Sequence, residues 1–256
     1  MTILLTGGSG RLGSELRALL PDVIAPSRSE LDVADPASVR QALARWRPDV
    51  VVHAAAYTDV RGAESDRAAC WRTNVTGTRH LVQALGGTVL LHVSTDYVFW
   101  GDRGGYREED TPGPVRNFYA LSKLVAEEVA RTAARHVVVR TSFRPREWPY
   151  EVAFDDVFTS QDYVDVLAPD IALVVRHAAE IPFDTLHVAT ERKSVFELAR
   201  RRRPEVRPGS RQEAGVSLPE DISLNTERWQ ALKGELLARE ANVVPQVPPS
   251  PLETSS

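Results

Sequence analysis

Residues 2–20 read TILLTGGSGRLGSELRALL. A short apolar run enters a glycine-rich turn, and a segment with apolar residues at helical spacing leaves it. Gly7, Gly10 and Gly13 stand in a G-x-x-G-x-x-G frame. Gly7 permits a tight exit from the strand, Gly10 lets the backbone approach a pyrophosphate, and Gly13 lets the helix pack closely on the sheet. The helix N-terminus then points free N–H groups and the positive end of its dipole at phosphates. Glycines at this spacing are weak evidence alone. Their place between a first strand and a first helix makes them a dinucleotide-binding signature.

The pattern continues outward from there. DVIAPS (22–27), DVVVHAAA (49–56), TVLLHVSTD (88–96) and HVVVRTS (136–142) read as further strands. Between them lie DPASVRQALARWRP (35–48), with Asp35 as N-cap and Pro36 at N1, one or two helices over 63–85, and the amphipathic NFYALSKLVAEEVARTAA (117–134). Unbroken apolar strands alternating with helices predict an α/β fold, a Rossmann-like, doubly wound parallel sheet covered on both faces. Such sheets bind ligands at the carboxyl ends of their strands.

After residue 143 the pattern loosens. RPREWPYEVAFDDVFTSQDYVD has two prolines, several aromatics and no clear period. Helices are expected over 168–180 and 194–203, and a strand over 183–190. The chain is therefore divided into a dinucleotide-binding domain (1–142), a small C-terminal α/β substrate lobe interleaved with it (143–240) and a Pro/Ser-rich, disordered tail (241–256).

Of the 256 residues, 43% are hydrophobic and 26% charged, ordinary values for a soluble globular protein. A net charge of -4 argues against nucleic acid as a partner, since no basic excess is available to neutralise phosphates. The arginine run ARRRRPEVR (199–207) reads as a solvated helix end. With the single cysteine Cys70, neither an intrachain disulfide nor a thiolate metal cluster is expected, and Cys70 itself reads as a buried inert thiol. His53, His92 and Asp96 lack metal-ligand spacing. No stretch reaches the roughly 18–20 apolar residues of a membrane span, and MTILLTGG lacks the basic start of a signal peptide. The expectation is a cytoplasmic protein without a membrane partner. A homodimer is compatible with this reading, and the oligomeric state stays open.

Which cofactor binds depends on the end of the second strand. An acidic residue there would take the ribose hydroxyls of NAD. Here Ser27 and Arg28 occupy that place, and Arg11 sits in the glycine loop. Two cations near the 2′ position favour NADP, while Glu30 nearby keeps NAD open. Asp32 either hydrogen-bonds the adenine edge or caps a turn.

Tyr119 and Lys123 are four residues apart and share one helical face. A phenol, with a pKa of ~10, is a poor proton shuttle near neutrality, and an adjacent ammonium pulls that value down. Ser94 and Thr95, at the end of the fourth strand, supply hydroxyls able to orient a carbonyl.

These features together resemble the extended short-chain dehydrogenase/reductases. RPDVVVHAAAYTDVRGAESDRAACWRTNVTGT, STDYVFWGDRGGYREEDTPGP and YALSKLVAEE resemble, more narrowly, the dTDP-4-dehydrorhamnose reductase family, and the likeness runs over residues 1–142. That resemblance implies an NADP-dependent reductase whose partner is a small-molecule nucleotide sugar with a 4-keto group. It implies that Thr95 orients the carbonyl, that Tyr119 donates the proton, and that Lys123 lowers the pKa of Tyr119 and holds the nicotinamide ribose. Leu12, Val33, Ala54, Ala55, Ala56 and Tyr57 would line the cofactor beside the glycine loop, Asn74 would support the site, and Thr141 and Ser142 would face the nicotinamide. Related dehydratases carry an acidic pair after the threonine. Here Asp96 is followed by Tyr97, which favours reduction over elimination. The substrate lobe looks shortened, which leaves open a cofactor-binding regulatory or partner protein of the same fold, or an epimerase or reductase with a different substrate.

Overall fold

The computed structural model describes residues 1–215 and 217–243. Four parallel strands form the centre: β1 (Ile3–Thr6), β2 (Val50–His53), β3 (Val89–Ser94) and β4 (His136–Arg140). Four short strands follow, β5 (Phe143–Arg144), β6 (Val152–Phe154), β7 (Phe158–Thr159) and β8 (Asp162–Tyr163). β9 (Thr185–His187) then returns to the main sheet, and β10 (Lys193–Ser194) and β11 (Arg207–Gly209) close the set. The main sheet runs β1-β2-β3-β4-β9, parallel throughout.

The helices are α1 (Arg11–Leu19), α2 (Pro36–Trp46), α3 (Gly62–Ser65), α4 (Arg67–Trp71), α5 (Gly77–Leu85), α6 (Phe118–Ala130), α7 (Val164–Arg176), α8 (Val195–Arg200) and α9 (Glu227–Val243). A π-helical turn, Arg72–Thr76, joins α4 to α5.

Alternation along the strands explains why they read as unbroken apolar runs. Ile3, Leu5, Val50, Val52, Val89, Leu91, Val137 and Val139 face one layer, packed with Leu12 and Leu16 of α1, Ile171 of α7 and Trp229 of α9. Leu4, Val51, Leu90 and Val138 face the other, against Val39 of α2, Leu81 of α5 and Ala130 of α6. Both faces are covered, so neither tolerates polar residues until the strand ends.

Several boundaries differ from the sequence expectation. The segment 22–27 is not a strand: it touches β1 through one bridge, Leu4 to Ile24, with backbone bonds Ile24 N to Ile3 O and Leu5 N to Ile24 O. Pro26 then lacks the N–H that a longer ladder would need. α7 begins at Val164 rather than near 168, and Pro169 lies inside it. Burial of Val164, Leu167 and Ile171 on the main core outweighs the one backbone bond that Pro169 cannot make. α6 ends at Ala130, whereas α9 continues to Val243, past the expected start of the tail. The rest of that Pro/Ser-rich tail, 244–256, lies outside the described residues.

Where no period was legible, the chain makes minimal pairings: β5 with β8, β6 with β11, and β7 with β10. Trp148, Ala153, Val157, Val195, Ala199 and Val206 form a separate small core there. The arginine run is laced to carboxylates, with Arg201 paired to Asp162 and Glu191, Arg202 to Asp165, and Arg203 to Glu205. No helix among the described residues is long and apolar enough to cross a membrane.

Candidate active site

The edge segment at Ile24 lies on one side of β1 and β2 on the other, so the direction of winding reverses between β1 and β2. A crevice opens at the carboxyl ends where winding reverses. A cleft of about 480 Å³ occupies that place.

The glycine loop forms its floor at one end. Gly7 has φ +74, and a Cβ there would approach Ala55 N to 2.7 Å. A Cβ on Gly13 would collide with the Gly7 carbonyl oxygen. Gly10 N–H donates to that carbonyl at 2.9 Å, which curls the loop over the start of α1. α1 has no side-chain cap and no acid in its first turn, leaving its N-terminal N–H groups and dipole unopposed. Arg11, Leu12, Arg28, Asp32 and Val33 line the same end. Arg28 is exposed and pairs with Asp32 at 3.5 Å. The other Asp32 oxygen accepts Ala34 N–H at 2.9 Å, the turn-capping alternative read from sequence.

The far end holds Ser94, Thr95, Tyr119, Lys123, Thr141 and Ser142, with Ala54, Ala55 and Ala56 between the two ends. Three expected residues stand off the wall. Ser27 is turned to Glu30, which accepts both its N–H and its hydroxyl. Tyr57 and Asn74 sit behind. Asn74 Oδ1 accepts Tyr57 N–H at 2.7 Å, and its Nδ2 donates to Tyr57 O and, at 2.8 Å, to Ser122 Oγ of α6. Ser122 in turn donates to the Tyr119 carbonyl. Asn74 therefore ties the segment after β2 to the helix bearing Tyr119.

Thr95 caps a short 3-10 turn, accepting Tyr97 N–H at 3.2 Å and donating to Asp96 Oδ1 at 3.1 Å. Asp96 is buried, and burial pushes its carboxyl up to about 7. Asn117 caps α6 by accepting Ala120 N–H at 2.8 Å, which places Tyr119 in the first helical turn. Burial, then the charges of Asp96 and Tyr97, raises the Tyr119 phenol above its ordinary value. Lys123 lies one turn further along α6. Its Nζ donates to the Val93 carbonyl at 2.7 Å, and burial brings the ammonium itself down to about 8, with Glu127 opposing.

A buried polar belt underlies the site on the α5–α6 face of the sheet. Thr6, His53 and His92 lie side by side in register, as do Ser94, Arg140 and His187 one step further along. Thr6 Oγ1 accepts Ala55 N–H and donates to His53 Nδ1 at 2.8 Å. Thr78 Oγ1 donates to Asn74 O, so it accepts from His53 Nε2, which fixes a neutral Nε2–H tautomer. Burial and the charge of Lys123 hold His53 neutral, down to about 3. In the second row, Glu127 accepts the Ser94 hydroxyl and a bidentate contact from Arg140, Nη2 to Oε2 at 2.9 Å.

Sequence reasoning missed Tyr97, which lines the cleft edge-on to Tyr119 at 6.3 Å, and Thr58, Thr73 and Phe143 on the wall. Glu127 was also missed. Its position four residues beyond Lys123, on the same helical face, was the available signal.

A model of the RmlD substrate binding domain family matches residues 1–144. The dTDP-4-dehydrorhamnose reductase of Mycobacterium tuberculosis H37Rv is 39% identical over 177 residues, covering 64% of this chain and 54% of that protein. That of Streptomyces griseus is 48% identical over 131 residues, covering 48% and 43%. The chain thus spans about half the length of these curated relatives. Among solved structures, a dTDP-4-dehydrorhamnose reductase from Bacillus anthracis in complex with NADP superposes with a TM-score of 0.80 at 28% identity, covering 93% of this chain and 98% of that one. A hypothetical dTDP-4-dehydrorhamnose reductase from Sulfolobus tokodaii gives 0.79 at 32%, covering 91% and 94%. With more than half its length matched and the same fold in these structures, the chain belongs to the RmlD substrate binding domain family.

Proposed function

We propose that the chain is an NADP-dependent reductase of a nucleotide-linked 4-keto sugar, of the dTDP-4-dehydrorhamnose reductase type. The observation that carries this reading is the presence of Thr95, Tyr119 and Lys123 on the wall of the same cleft as the glycine cradle.

The residues fit a dinucleotide. Gly7, Gly8, Gly10 and Gly13 present backbone rather than side chains along the loop that lines the cleft, and α1, nine residues long, has an uncapped N-terminus. Thr141 Oγ1 lines the cleft, buried and without a hydrogen-bond partner among the described residues. Arg11 and Arg28 would hold a 2′-phosphate, and the B. anthracis protein carries NADP. When bound, the cofactor supplies the hydride to the carbonyl carbon.

The chain's own residues manage the oxygen. Thr95 holds a hydroxyl beside Tyr119 and orients the carbonyl. The raised pKa of Tyr119 keeps the phenol protonated at neutral pH, as a proton donor requires, until the carbonyl oxygen gains charge and becomes the stronger base. Lys123 supplies the positive charge that steadies the phenolate left behind and holds the ribose. Tyr97 stands where a dehydratase would place its second carboxylate, which supports reduction over elimination.

The test follows NADPH absorbance with purified protein and enzymatically generated dTDP-4-keto-rhamnose, alongside Tyr119→Phe. Turnover by the wild type that is lost in the variant, with NADPH binding kept, is expected. Tight NADPH binding without turnover in the wild type would overturn the reading and assign the fold to a cofactor-binding partner protein.

A further inference from the structure

We propose that Arg144 binds the phosphate of a nucleotide-linked substrate, at the end of the cleft lined by Ser142. This inference rests on the reductase reading for its substrate class.

Most arginines of the lobe are paired with carboxylates: Arg146 with Glu15, Arg192 with Asp221, Arg201 with Asp162, Arg202 with Asp165. Arg144 has no carboxylate within ion-pair distance among the described residues, although it is half-buried. Its guanidinium is nonetheless fixed. Nε donates to Gln161 Oε1 at 2.7 Å, and Gln161 is itself held by Thr159 Oγ1 through its backbone N–H at 3.0 Å and its Nε2 at 3.2 Å. From the other side the guanidinium carbon lies 5.0 Å from the centre of the Trp148 ring. With Nε engaged, the Nη donors remain for a bidentate acceptor, the geometry that carboxylates and phosphates match.

The position suits a substrate rather than the cofactor. Ser142 and Phe143 line the cleft, and Arg144 is the next residue along β5, just beyond that lining. Its charge is felt at Tyr97 on the cleft wall, where it opposes the upward push of burial and Asp96 on the phenol. The glycine cradle, which would take the cofactor phosphates, lies at the opposite end. In a 4-keto pyranose the anomeric oxygen that carries the phosphate is across the ring from the carbonyl. A carbonyl held by Thr95 and Tyr119 therefore places that phosphate one ring width away.

The experiment is calorimetric titration of thymidine diphosphate into the full-length protein saturated with NADP, for the wild type, Arg144→Gln and Arg144→Lys. Expected is a loss of about 10- to 100-fold in affinity for Arg144→Gln, the range of a charge-assisted hydrogen bond, a smaller loss for Arg144→Lys, and unchanged NADP affinity. Unchanged thymidine diphosphate affinity in a folded Arg144→Gln, or no binding by the wild type, would overturn the proposal. Should Arg144→Gln fail to fold, Gln161→Leu, which frees the guanidinium, is expected to lose about 3-fold or more; equal affinity would overturn it as well. Arg144-dependent binding without wild-type turnover sinks the reductase reading and leaves the phosphate site standing. Turnover with Arg144-independent binding does the reverse.

Discussion

In the main sheet, β1 and β2 bury every residue, and helices cover both faces. In the lobe, β5, β7, β8 and β10 are two residues each, and arginine–carboxylate pairs on or near the surface do much of the joining. Both regions contain ion pairs, and the lobe has a buried one of its own, Lys193 with Asp162 at 3.5 Å, beside its exposed ones. Glu127 and Arg140 are fully buried beneath the cleft, whereas Arg202 and Asp165 remain partly in water. Burial makes a charge pair costly to break and water makes it nearly dispensable.

The largest effect that would break this contrast is on turnover. Tyr119→Phe is expected to lower it about 100- to 10,000-fold, the range of a positioned general acid, while the urea midpoint stays near that of the wild type. A midpoint that falls with activity would mean that the phenol is structural. Next comes the buried pair. Glu127→Ala leaves the Arg140 charge unpaired and should cost about 3–5 kcal/mol in urea unfolding. A cost below 1 kcal/mol would show that water reaches the pair and that the two regions do not differ.

Asp96 sharpens the comparison through pH. Its folded pKa of about 7 lies above the ordinary 3.8, so the folded protein binds the extra proton between those values. Its contribution to stability is full below pH 3.8 and is lost as pH rises through about 7, with a slope of up to ~1.4 kcal/mol per pH unit. Asp96→Asn should remove that slope from stability measured across the window. Equal profiles for the two proteins would place Asp96 in a more polar setting than its burial suggests. The smallest effect belongs to the lobe surface. Arg202→Ala should change stability by under ~1 kcal/mol, and a larger loss would mark this pair as part of the lobe's frame.

How far the site was legible follows from the same physics. Gly7, Gly10 and Gly13, Thr95, and the Tyr119–Lys123 spacing were readable because each depends on backbone shape or helical period, which neighbours in sequence impose. Ser27 stands off the cleft wall because Glu30, three residues on, takes its donors. Asn74 and Tyr57 were assigned to the site, but nothing in their spacing revealed that they stand behind the wall. Glu127 and Arg140 look like surface charges on an amphipathic helix and a strand end. Only the approach of α6 to β3 and β4 turns them inward to each other.

Apart from the segment 22–27, the order of strands and helices in the first half, the glycine turn and the residue types at the strand ends were determined by the sequence alone, since apolar runs, glycines and caps act locally. Tertiary structure decided which polar residues are buried, that Lys123 reaches a β3 carbonyl rather than the phenol, and that the unpatterned lobe folds back through α7, β9 and α9 onto the first half. Those outcomes depend on contacts between residues far apart in the chain, whose burial and charge no local pattern records.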